Sequence, residues 1–131
     1  MRAIILGESP NAQLAEALGA AGVTIQARTL PRPSMPGPTA ALVAALRGAE
    51  RALEADPPDA VVVASDGDAA LGAVLAGVKM GVATAWLRTP GGEAGGEVTA
   101  RVADVTLDAA APAERLADAI GALDAPTLPR L

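Results

Sequence analysis

Ala60-Val61-Val62-Val63-Ala64 is the stretch on which the fold turns. It is apolar without alternation, so both of its faces must be covered, as in the middle of a parallel sheet with helices on either side. Asp56-Pro57-Pro58 ends the preceding element, and Ser65-Asp66-Gly67-Asp68 turns the chain into the next one. Outward from this central strand, helices and strands alternate in both directions.

Downstream, a helix runs to about Met80 and Gly81 breaks it. Val82 to Leu87 is a fourth strand, Arg88 to Gly92 a loop, and Glu93 to Ala103 a helix weakened by glycine. Val105-Thr106-Leu107 is a short fifth strand. Pro112 opens a last helix over Ala113 to Leu123, and Asp124 to Leu131 reads as a loose tail. Upstream, Arg2 to Leu6 is a buried first strand closed by Gly7. Ser9 is placed to cap a helix with Pro10 at its first position, and Leu14, Ala17, Leu18 and Ala21 form its apolar face before Gly22. Val23 to Ala27 is a second strand. The proline-rich stretch Arg28 to Pro38 can be neither helix nor inner strand, and a long alanine-rich helix comes after it from Thr39 to Ala55.

Strands alternating with helices in this way predict right-handed crossovers. The expected fold is one doubly wound, three-layer, Rossmann-like α/β domain over residues 1–123, with a tail over 124–131. Its parallel sheet has about five strands in the order 2-1-3-4-5. Ligands of such sheets sit beyond the carboxyl ends of the strands, where the order reverses. That point lies between the first strand and the Ala60 strand, so the loops Gly7–Asn11 and Ser65–Asp68, with Arg88–Glu93 alongside, are the candidate site.

Composition narrows the chemistry. The chain has 131 residues, 51% hydrophobic and 19% charged, enough for one domain with a real core. It has no cysteine and no histidine, which removes disulfides, thiolate chemistry, a histidine base and an ordinary zinc site. A metal would have only carboxylates and backbone oxygens to bind it, and no cofactor is expected. The net charge of −5 argues against nucleic acid and anionic lipid as partners. No apolar stretch approaches the roughly 20 residues that span a bilayer. The apolar start meets Gly7 to Pro10 too early for a signal peptide. A cytoplasmic protein is expected.

Each candidate residue has a structural and a functional reading. Asp66 and Asp68 either cap the helix after Gly67, worth about 0.5–2 kcal/mol, or present a carboxylate as base or ribose acceptor at the switch point beside Ser65. Arg88 is either a surface partner of Glu93 or an anion-binding guanidinium. Arg28 and Arg32 join it if the proline loop folds over the edge. Gly7, Ser9 and Asn11 either form a plain turn or cradle an anion at a helix start; Glu8 opposes phosphate there, and no Gly-x-Gly-x-x-Gly spacing is present. Trp86, the sole aromatic, is either a core or interface residue or a platform on which a ring stacks. Gly91-Gly92 and Gly95-Gly96 make a lid or only a weakened helix.

The same loops carry a resemblance. Gly7-Glu8-Ser9-Pro10-Asn11-Ala12 is similar to the Gly-Thr-Arg-Pro-Glu-Ala of UDP-N-acetylglucosamine 2-epimerases. Pro58-Asp59 through Ser65-Asp66 resembles that family's Pro-Asp-x-Val-x-Val-x-Gly-Asp, and Leu87-Arg88-Thr89 its Leu-Arg-Thr. Glu93-Ala94 and Ala103-Asp104-Val105 resemble the Glu-x-Asn-Arg segment and the strand start beyond it. The family has two such domains with the nucleotide sugar between them, and this chain has the length of the first. Ser9 and Asn11 depart from the pattern, Gly95 and Gly96 replace Asn and Arg, and the stretch before Leu87 is shortened to Trp86. Only Asp66, Arg88 and Glu93 remain of the family's polar set. The resemblance therefore implies a binding or interaction module that is inactive alone and takes a nucleotide, a sugar phosphate or another small anion. A homodimer is expected, and the alternative is half of a split epimerase or glycosyltransferase-like enzyme completed by a second α/β chain. A further alternative is a small enzyme using Asp66 and Glu93 as a carboxylate pair, with or without a divalent metal.

Overall fold

The computed structural model describes residues 1–7, 12–91 and 96–123. The five strands are β1 (Arg2–Gly7), β2 (Thr24–Thr29), β3 (Ala60–Ala64), β4 (Ala83–Arg88) and β5 (Val105–Asp108), all parallel in the order β2-β1-β3-β4-β5. Between and after them lie α1 (Ala12–Ala20), α2 (Ala40–Ala55), α3 (Gly67–Lys79), α4 (Gly96–Val102) and α5 (Ala113–Gly121). The expected sheet order is the observed one.

Strand alternation divides the core into two halves. Ile4, Leu6, Val61, Val63 and Trp86 face Ala49 and Leu53 of α2 and Ala70, Ala73 and Val74 of α3. Ala3, Ile5, Val62, Ala85 and Leu87 face Leu14 and Leu18 of α1 and Leu116 and Ile120 of α5. All three valines of β3 are fully buried, which is what an uninterrupted apolar run requires. Alanine-rich helices let the layers close up: a Cβ on Gly72 of α3 would fall onto the Leu42 carbonyl oxygen of α2, so these two helices meet backbone to backbone.

The amino ends of the strands are locked by aspartates. Asp59 accepts the Arg2 N–H at 2.8 Å through Oδ2 and donates its own N–H to the Arg2 carbonyl at 2.8 Å. Asp104 repeats the arrangement with Thr84, at 2.8 and 3.0 Å. Each aspartate thus pins the start of its strand to the neighbouring one. Asp56 adds an ion pair with Arg2 and accepts from Gln26 Nε2 at 2.6 Å.

Several boundaries move. β2 starts one residue late and runs on to Thr29, because its ladder with β1 continues to the Gly7–Thr29 pair; Val23 is instead a buried turn residue donating to the Leu18 carbonyl at 3.0 Å. The helix expected over Glu93 to Ala103 is described over Gly96–Val102, and its first residues lie outside the described ones, as do the expected cap at Ser9 and the 124–131 tail. The last helix ends at Gly121, two residues early. No described helix is long and apolar enough to cross a membrane.

Candidate functional site

The order reversal between β1 and β3 brings Gly7 against Ala64, its register partner, and a Cβ on Gly7 would meet the Ala64 carbonyl oxygen. Gly7 is therefore needed for strand packing whatever else the edge does. After β3 the chain passes through Ser65 and Asp66, and Gly67 turns it into α3 with φ 63°, a conformation that favours glycine. β4 runs on to Arg88, expected as loop, and Thr89 follows it. In register beside Arg88 is Asp108, the last residue of β5.

Asp66 occupies the N-cap position of α3 with extended backbone, φ −124° and ψ 174°, yet its side chain makes no capping hydrogen bond. Its Oδ1 instead accepts the Thr89 N–H across the edge at 3.4 Å, a long contact that ties the β3 and β4 loops together. The capping reading is thereby corrected: Asp66 has the place of a cap and not its bond. Asp68 is exposed in the first turn of α3, where a carboxylate complements the helix dipole.

Trp86 takes its core reading. It is 2% exposed, and its indole N–H donates to the Ser65 carbonyl at 2.9 Å, which commits that carbonyl to the fold. Its ring carries Arg88, whose Cζ stands 5.4 Å from the centroid, within cation–π range. Arg88 is the cation of this edge. Its expected partner Glu93 lies outside the described residues; among the described ones its carboxylate partner is Glu97, at 4.0 Å, with the two side chains 42% and 76% exposed. An open pair of that kind is weak. Arg88, Pro90, Thr106, Leu107 and Asp108 line a shallow pocket of about 270 Å³.

Arg28 and Arg32 do not join this group. Arg28 lies on the outer strand β2, three strand spacings from β4, about 14 Å. The proline stretch turns away, with Leu30 in the core and the Pro31 ring against Gly48 of α2, and Arg32 is exposed. Ser9, Asn11 and Glu93 lie outside the described residues. Among the described residues no group of three or more acidic side chains is arranged to hold a metal.

Thr89, Asp108 and Gly96 also belong to this edge; in the sequence Thr89 and Gly96 stood out only within longer motifs, and Asp108 not at all. Asp108 had a signal, as the last residue of a strand paired with Arg88; its Oδ1 accepts the Ala110 N–H at 2.8 Å. Gly96 was read only as a glycine in a lid or weakened helix and as a departure from the epimerase pattern, because its contact is with a residue on another element. A larger groove of about 630 Å³ lies between α1 and α5, but its lining is alanine with Gln13, Glu16, Glu114 and Asp118, and holds no cation. The carboxyl edge, with a guanidinium for phosphate or carboxylate and Asp66 for a hydroxyl, is the better-equipped site.

No protein-family model matches the chain, and no curated protein matches it by sequence. Solved structures do. The UDP-GlcNAc 2-epimerase of Methanocaldococcus jannaschii superimposes with a TM-score of 0.63 at 18% identity, over 93% of this chain and 43% of that one. The UDP-GlcNAc 2-epimerase of Neisseria meningitidis, bound to UDP-GlcNAc, gives 0.64 at 14% identity, over 79% of this chain and 39% of its own. MnaA of S. aureus, in a co-structure with UDP, gives 0.66 at 14%, over 95% and 42%. At such identities the likeness establishes the fold, and this chain spans about two-fifths of each of those proteins. The resemblance read from the loops is met at that level.

Proposed function

We propose that this chain is an epimerase-like binding domain that takes a small anion, a nucleotide or sugar phosphate, at the carboxyl edge of its sheet and is catalytically inactive alone. The observation that carries this reading is Arg88. Its guanidinium is seated over Trp86 at the edge and only loosely paired with Glu97. A phosphate offers two oxygens to the guanidinium fork in bidentate geometry, which an exposed carboxylate at 4.0 Å does not. Asp66, across the edge, is an acceptor for a ribose or sugar hydroxyl, and Asp68 and Ser65 flank it. The inactivity rests on the departures from the epimerase pattern, in which Gly95 and Gly96 replace Asn and Arg and the stretch before Leu87 is shortened to Trp86. A cytoplasmic homodimer belongs to the same reading.

Calorimetry against UDP, UDP-GlcNAc and inorganic phosphate tests it. Binding by the intact chain, weakened about tenfold or more in Arg88→Ala, is the expected result, because a hydrogen-bonded charge contributes about 1.5–3 kcal/mol. No heat with any of the three removes the ligand. A second reading, half of a two-chain enzyme, is favoured by the coverage of 39–44% of the epimerase chains. In that case a second α/β chain supplies the other wall of the cleft. The chain purified from its native host then carries that partner; a chain that runs alone or as a homodimer ends the idea.

A further inference from the structure

The Arg88 side chain lies against a neighbour that lacks a side chain of its own. Gly96, the first residue of α4, is buried, and a Cβ built on it would stand 2.7 Å from a terminal guanidinium nitrogen of Arg88 and 3.0 Å from Cζ. The next atom it would meet is Cη2 of Trp86, at 3.2 Å. The guanidinium therefore lies in the space that any other residue at 96 would fill. The indole borders the same space, with the Arg88 Cζ over its ring, 5.4 Å from the centroid. The indole cannot swing aside, because it is 2% exposed and fixed by its N–H bond to the Ser65 carbonyl.

We propose that Gly96 and Trp86 are positioning residues for Arg88: the bare Cα of α4 and the indole face form a slot that presents the guanidinium at the carboxyl edge in one orientation. A long arginine side chain otherwise samples many rotamers, and a planar fork that must meet two oxygens at once loses affinity when it wanders. β4 supplies the alignment, since Trp86 and Arg88 are two residues apart and so share a face of the strand. The weak approach of Glu97 does not fix the guanidinium, with that carboxylate 76% exposed. The slot does. Gly96→Ala therefore falls first on Arg88, the end of a flexible side chain, while its 3.2 Å approach to Cη2 of Trp86 calls for a shift of only a few tenths of an ångström and meets no backbone.

Proton NMR on the full chain reads this directly. Trp86 is the only aromatic residue, with no phenylalanine, tyrosine or histidine, so a ring-current shift on any arginine arises from it. The Arg88 side-chain resonances, assigned by their loss in Arg88→Lys, are expected well upfield of those of the other arginines. In Gly96→Ala they return to ordinary positions while the thermal midpoint stays within about 3 °C of the parent. An unshifted Arg88 in the parent chain overturns the proposal, as does a shift that survives Gly96→Ala. The final readout rests on the anion-binding reading: UDP affinity should fall at least fivefold in Gly96→Ala, and a variant that has lost the shift yet binds UDP as tightly as the parent also overturns the positioning role. If the parent chain does not bind UDP, the failure is that of the binding reading, and the ring-current shift decides the slot by itself.

Discussion

Replacing Gly72 by alanine should destabilise the protein, whereas the same replacement at Gly19 should stabilise it. Both glycines sit in helices, and alanine is better than glycine there by about 1 kcal/mol in a helix interior. Around Gly19 a Cβ meets nothing within 4 Å, so only the propensity gain remains. One residue from the end of α1, it should deliver about 0.5 kcal/mol. At Gly72 the new methyl would fall on the Leu42 carbonyl oxygen and 3.0 Å from the Leu46 nitrogen. Those are backbone atoms of α2, and a helix cannot rotate them aside as a side chain would be rotated. Overpacking costs about 1–3 kcal/mol, and a backbone clash belongs at the upper end, leaving a net loss of about 2 kcal/mol after the propensity gain. Urea unfolding followed by the fluorescence of buried Trp86 measures both variants, with an expected separation of about 2.5 kcal/mol and an unchanged m-value. An alanine at 72 as stable as the parent would refute backbone contact between α2 and α3. It would also undo the placement of α3, whose first turn carries Asp66 and Gly67 to the edge.

Two further substitutions probe the edge. Trp86→Phe removes the donor to the Ser65 carbonyl and part of the ring, and should cost about 2–4 kcal/mol in urea unfolding followed by circular dichroism; a loss under about 1 kcal/mol would mean that the indole bond does not hold the loop after β3. Asp66→Ala should change stability by less than about 0.5 kcal/mol, because no capping bond exists to lose. A loss of about 1 kcal/mol or more, the usual effect of removing a cap, would return Asp66 to its structural reading.

The order of the sheet and the location of the edge were legible because they follow from periodicity. An unbroken apolar run at Val61-Val62-Val63 demands cover on both faces, and crossover handedness leaves few ways to arrange the rest. For Trp86 the sequence left core and platform both open, and the structure takes the core reading. Periodicity could not reveal what Arg88 rests against, since Gly96 and Glu97 reach it from another element, and a glycine signals its own freedom rather than its neighbour's need for space. Nor could it separate Asp66 from an ordinary cap: residue type and position were both right for capping, and only the side-chain direction toward Thr89 differs. The proline stretch was read as neither helix nor inner strand, and only its first two residues, Arg28 and Thr29, join a strand, the outer β2. The stretch's path toward Gly48, away from the edge, is a packing outcome that local composition does not encode.

The two ends of the sheet use their polar residues differently, and that difference bears on where a ligand belongs. At the amino end, Asp59 and Asp104 each accept the N–H of the adjoining strand and return their own, while Asp56 binds Arg2 and Gln26 together. Those carboxylates hold the strands in register and have little capacity left for anything else. At the carboxyl end, Asp66 reaches one backbone N–H at 3.4 Å, Asp108 turns onto its own loop, and Arg88 faces a carboxylate at 4.0 Å. Asp108 is held as closely as Asp59, at 2.8 Å, but among the described residues Asp66 and Arg88 are not. Their loose engagement, at the edge where parallel sheets bind ligands, is what a binding surface requires. The slot around Arg88 adds order without pairing its charge. For that reason Arg88, and not the larger groove between α1 and α5, is the residue on which the binding proposal depends.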